Sequence, residues 1–170
     1  MAPIFLVQFR QGPLCDASAH WGLFLPHTNS TTDRFGTPYW GSLFHAGTDE
    51  TCSNANQQSM TQFHYEQSFQ LAGRHSLLRC TQLDGTAVTD AQLHSACQTV
   101  TLHRHFNHIT DNCQNWVREV LDNLVDTEHI SDEVFKQMRK AGYVPLGETR
   151  CGRCAKSSLS LKCSCHPKTG

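Results

Sequence analysis

The sequence predicts an α+β fold, with an antiparallel sheet packed against helices. Three observations carry this. Segments of strand composition fill the first half of the chain, while capping patterns and helical periodicity fill the second. Strands and helices are therefore grouped and do not alternate, which separates α+β from α/β. The chain has 170 residues, 38% of them apolar and 17% charged, enough to bury a core without staples.

The strands come first. Residues 3–10 read as one strand and residues 20–25, within HWGLFLP, as a second that Pro26 ends. YWGSLFHAG, 39–47, reads as a third, joined to the second by the polar connection HTNSTTDRFGTP with its Gly36 and Pro38. TDETCSNANQQS, 48–59, is loop-like. QFHYEQSFQL, 62–71, and HSLLRCTQL, 75–83, read as further strands. Three helices follow. Thr89 and Gln92 have capping-box spacing, ahead of Leu93, Ala96 and Cys97. Asp111 and Gln114 repeat that spacing, and Trp116, Val117, Val120, Leu121 and Leu124 mark one apolar face. Ser131 can cap a third helix with Val134, Phe135 and Met138 on its apolar side, and Gly142 can end it.

The composition excludes several classes. A formal net charge of -1 gives no electrostatic footprint for nucleic acid. No stretch approaches the roughly 20 apolar residues of a spanning helix. The five apolar residues from Pro3 to Val7 are too few for a secretory segment, so the expectation is a cytoplasmic protein. Nine cysteines, an odd number, argue against a complete disulfide framework.

Two kinds of residue suggest chemistry. TDNCQNWVREVL, 110–121, places Cys113 in the first turn of a helix, as its second residue if Asp111 is the N-cap. There the helix dipole and unpaired N–H groups favour a thiolate, so a lowered pKa and a nucleophilic role are expected. The bland alternative is a small buried thiol. A thiol nucleophile needs a base, and His20 and His45 stand on two strands that can be neighbours in one sheet. Either alone reads equally well as a satisfied core histidine. His64 and His75 carry no pattern, and HRHFNHIT, with His103, His105 and His108, reads as a polar loop.

HWGLFLP, LFHAG and DNCQNWV, in that order, resemble the permuted papain-like thiol enzymes, most of all the lecithin retinol acyltransferase-like group. The desumoylating isopeptidases are similar more distantly. In the acyltransferase-like group a His-Trp-Ala-Ile-Tyr strand is followed by a strand bearing a second histidine. An Asn-Cys-Glu-His-Phe motif then opens a helix. Asn112 and Cys113 match its Asn-Cys pair, while Gln114, Asn115 and Trp116 replace the rest. The likeness covers roughly residues 3–125. It implies a circularly permuted papain-like domain, taken as residues 1–146, and the composition sets off a Cys-rich basic tail over 147–170. It implies Cys113 as nucleophile, His20 as base and His45 as its orienting partner. Asn107 and Gln8 are candidate oxyanion donors. The expected activity is cysteine-dependent acyl transfer on an amide, ester or thioester of a small-molecule, acyl or peptide substrate. It passes through a thioester, needs no cofactor and leaves hydrolase and acyltransferase both open. The long connection between His20 and His45 and the lack of an apolar anchor after the Cys113 helix depart from the group's membrane-bound members.

The tail reads C-x2-C-x8-C-x-C-H. Cys151 and Cys154 have zinc-knuckle spacing, and Cys163 with Cys165 or His166 could complete a structural zinc site. Two other function classes stand beside the thiol enzyme. One is a non-catalytic binding protein on the same fold, the other a synthase joining activated acyl groups.

Overall fold

The computed structural model describes residues 1–10, 19–48, 61–102 and 112–143. Five strands precede three helices: β1 (Ala2–Phe9), β2 (His20–Pro26), β3 (Trp40–Thr48), β4 (Thr61–Gln70), β5 (Leu77–Val88), α1 (Asp90–Thr101), α2 (Cys113–Asp126) and α3 (Glu133–Lys140). The strands form one sheet in the order β4-β3-β2-β1-β5, every neighbouring pair antiparallel. The expected α+β class is therefore what the chain adopts. No described helix is long and apolar enough to cross a membrane.

Side-chain alternation gives the sheet two apolar faces. Ile4, Leu6, Trp21, Leu23, Leu25, Phe44 and Ala46 point to the helices. There they meet Leu93 of α1, Trp116, Val120 and Leu124 of α2, and Val134 and Met138 of α3. Phe5, Val7, Phe24, Leu43 and Phe69 form a second cluster from the alternate positions. Two large polar side chains of the main core are paired. The Trp116 indole donates to Thr101 Oγ1 at 2.8 Å, and Tyr143, edge-on to Trp21, meets Thr81 Oγ1 at 3.2 Å.

The helix ends follow the sequence with two adjustments. Thr89 and Gln92 form the full capping box. The N-cap of α2 is Asn112 in place of the expected Asp111, because Asn112 Oδ1 accepts from the N–H groups of Gln114 and Asn115 at 2.9 and 3.3 Å. Cys113 is thereby the first helical residue and not the second. At α3 the N-cap position falls on Asp132, yet it is Ser131 Oγ that accepts from Glu133 N, at 3.3 Å. Gly142 follows the last turn of α3 with φ +80°, the left-handed conformation glycine tolerates best.

Candidate active site

The site lies where β2 begins, β3 ends and α2 starts. On β2, His20 shares a face with Gly22 and Phe24, opposite to Trp21. The register pairs Gly22 with His45 and His45 with His64, so the three imidazoles project from the same side. Leu43 pairs with Glu66, which places that carboxylate diagonally across from His45 on the same face. Glycine at position 22 keeps the strands close. A Cβ there would stand 3.1 Å from both Leu43 Cδ1 and Phe44 O, and 3.5 Å from His45 Cβ.

His20 and His45 are brought together as expected. Nε2 of His20 lies 3.0 Å from Nδ1 of His45, with the rings edge to face. Nε2 of His45 faces Glu66 Oε1 at 3.6 Å. His64 stacks on His45, centroids 5.0 Å apart and planes within 19°. His64 was expected to be an ordinary strand histidine and Glu66 carried no signal, yet both belong to this cluster. Period-two alternation within QFHYEQ does put them on one face, but only the β3–β4 register shows whose face it is.

Burial governs the charge states. It lowers the His20 pKa to about 4, with the His45 and His64 rings adding to the shift. His45 is lowered for the same reason and by His64, while the Glu66 carboxylate pulls it back up. Both imidazoles are thus neutral at pH 7.

Cys113 is 7% exposed. The backbone N–H groups of Trp21, Cys113 itself and Gln114 lie near its sulfur and favour the thiolate. Burial nevertheless dominates and raises the thiol above its ordinary value. The expected lowered pKa is overturned: the helix start supplies its N–H groups, but a sulfur withdrawn from water loses more than they return. Gln114 Nε2 donates to the carbonyl of Ala19 at 3.2 Å. The first turn of α2 therefore touches the chain immediately before and immediately after His20.

Of the oxyanion candidates, Gln8 is half-buried on β1 directly opposite Trp21, on the helix-facing side of the sheet. Asn107 lies outside the described residues, as do His103, His105 and His108 and the whole tail with Cys151, Cys154, Cys163, Cys165 and His166. Among the described residues no group of three or more His, Cys, Asp or Glu is disposed to hold a metal ion. The described cysteines Cys80, Cys97 and Cys113 are free thiols.

Comparison with the curated proteins and with the solved structures found no match in either set. A family model does match residues 4–131, three quarters of the chain and every described element of the histidine cluster and of α2's first turn. The chain belongs to DUF6540, a family of unknown function.

Proposed function

We propose that the protein is a thiol enzyme of permuted papain-like type that transfers acyl groups through Cys113. The observation that carries this reading is the seating of α2's first turn on both sides of His20, which His45 holds at 3.0 Å. A nucleophile candidate at a helix start thus borders the strand end that carries an imidazole with its own polar partner, which supports the reading. The resemblance in the three motifs supports the same assignment.

The charge states decide how such a site would work. A thiol raised above its ordinary value and an imidazole at about 4 both rest neutral, without a standing thiolate–imidazolium couple. The S–H proton then passes to His20 as sulfur bonds to the substrate carbonyl, as in a serine–histidine site. With Nε2 of His20 engaged by His45, the role of base falls to Nδ1. The carbonyl oxygen takes the negative charge, against the backbone N–H of Cys113 at the positive end of α2. Collapse expels the amine, alcohol or thiol, which takes the proton from His20 and leaves a thioester on Cys113. Water or another nucleophile attacks the thioester, gives its proton to His20 and releases the acyl group. The thiol is restored when His20 returns that proton. An imidazolium titrating near 4 is a strong acid, suited to protonating a poor leaving group.

The high thiol pKa and the burial of Cys113 favour one competing reading, a non-catalytic binding protein whose Cys113 is a packing residue. p-Nitrophenyl acetate separates the two. The enzyme reading expects acetylation mapped by mass spectrometry to Cys113, slowed roughly 10²-fold by His20→Gln and abolished at that position by Cys113→Ser. An unlabelled Cys113, or labelling indifferent to His20→Gln, would establish the binding protein instead.

A further inference from the structure

A neutral imidazole carries one N–H, so the His20–His45 pair can hold its shared proton in two ways. Either His45 Nδ1 donates to His20 Nε2, or His20 Nε2 donates to His45 Nδ1. The choice is set beyond the pair. His45 Nε2 faces Glu66 Oε1 at 3.6 Å, and an ionised carboxylate only accepts. A proton on His45 Nε2 meets that carboxylate favourably. A lone pair there would confront a negative oxygen. With the proton on Nε2, Nδ1 of His45 can only accept, and His20 must supply its own Nε2–H.

We propose that Glu66 is a positioning residue that fixes both imidazoles as Nε2–H tautomers, leaving Nδ1 of His20 as the basic nitrogen. The chain of three groups runs Glu66, His45, His20, from three neighbouring strands of the sheet. His64, stacked flat on His45, braces the ring so that its edge nitrogens remain in line with both partners. Glu66 acts through the histidines and touches no substrate. The catalytic meaning of the unprotonated Nδ1 rests on the proposed role of His20 as a base, but the tautomers do not.

The test is therefore read without activity. Long-range 1H–15N correlation spectra of the 15N-labelled protein at pH 7.5 report which nitrogen of each ring is protonated. His20→Gln and His45→Gln identify the two signals among the eleven histidines. The Glu66 side chain is 53% exposed, so Glu66→Gln and Glu66→Ala leave the core packing in place. The wild type is expected to show Nε2–H on both rings. At least one of the two variants is expected to show an Nδ1–H population at His45. An Nδ1–H tautomer at His45 in the wild type, or the wild-type pattern in both variants, overturns the proposal. Should Cys113 resist acetylation while the tautomers respond to Glu66, the enzyme reading falls and this one stands.

Discussion

At Cys113 two familiar effects oppose each other within one residue. The helix start offers N–H groups that favour a thiolate, and burial of the sulfur removes the water that would favour it more. Asn112 can shift the balance without moving the helix. Its Oδ1 caps α2 through two N–H groups, and an aspartate oxygen can do the same. Asn112→Asp keeps the two cap bonds but sets a carboxylate in a buried position, so the urea midpoint should fall. It also sets a negative charge beside the thiol and should move the pH dependence of Cys113 alkylation further upward. An unchanged or lowered titration would show that the thiol does not feel its own helix start. The same residues mark what the sequence could tell. His20 and His45 were legible because each sits in a short motif on a strand with a clear apolar partner pattern. His64 and Glu66 were not, because their place depends on which residue of β3 lies across from them. A thiol's burial also depends on the packing of the whole site, so composition and spacing could supply only the favourable half of the Cys113 balance.

Among the elements, α2 joins the core to the site. Trp116, Val120 and Leu124 pack under the sheet, while the helix's first turn meets the start of β2 at Trp21 and the residue before it, Ala19. Val120 is fully buried, and Val120→Asp would place a carboxylate where nothing can pair it. The expected cost is about 3–5 kcal/mol, read from urea denaturation, with the Gln114–Ala19 contact loosened as well. A loss below about 1 kcal/mol would mean that α2 does not seat on the sheet as described. The helical face was readable from periodicity alone, and the strands fell within a residue or two of their expected positions. β5 was the exception, running to Val88 where the sequence reading stopped at 83. Asp84 and Gly85 look like a turn, and Gly85 does adopt φ +74°. The chain absorbs them as a bulge: Ile4 pairs with Leu83, Pro3 with Ala87, and Thr86 Oγ1 accepts from Ile4 N at 2.9 Å. That side-chain bond keeps the ladder together across the irregularity, and no local pattern in LDGTAV announces it.

For the molecule as a whole, the histidine cluster links the site to stability. The fold holds His20 neutral down to about pH 4, whereas in the unfolded chain it takes a proton near its ordinary value of 6.5. Between those two values the unfolded state binds more protons, so stability is fully present above pH 6.5 and declines as pH falls toward 4. His45 is lowered as well and acts in the same direction. The His20 shift alone corresponds to roughly 3 kcal/mol across the full window, about 1 kcal/mol of it lost by pH 5.5, before most carboxylates titrate. Urea midpoints measured from pH 7.5 to 5.5 should therefore fall steadily. His20→Gln removes both the group and its unfavourable coupling to His45. That variant starts from its own baseline stability, and its midpoint should change less over the same interval. A wild-type midpoint flat across the interval, or an equal slope in the variant, would mean that the cluster admits protons as freely as the unfolded chain. The neutral resting state on which the proposed acyl-transfer chemistry depends would then be lost with it.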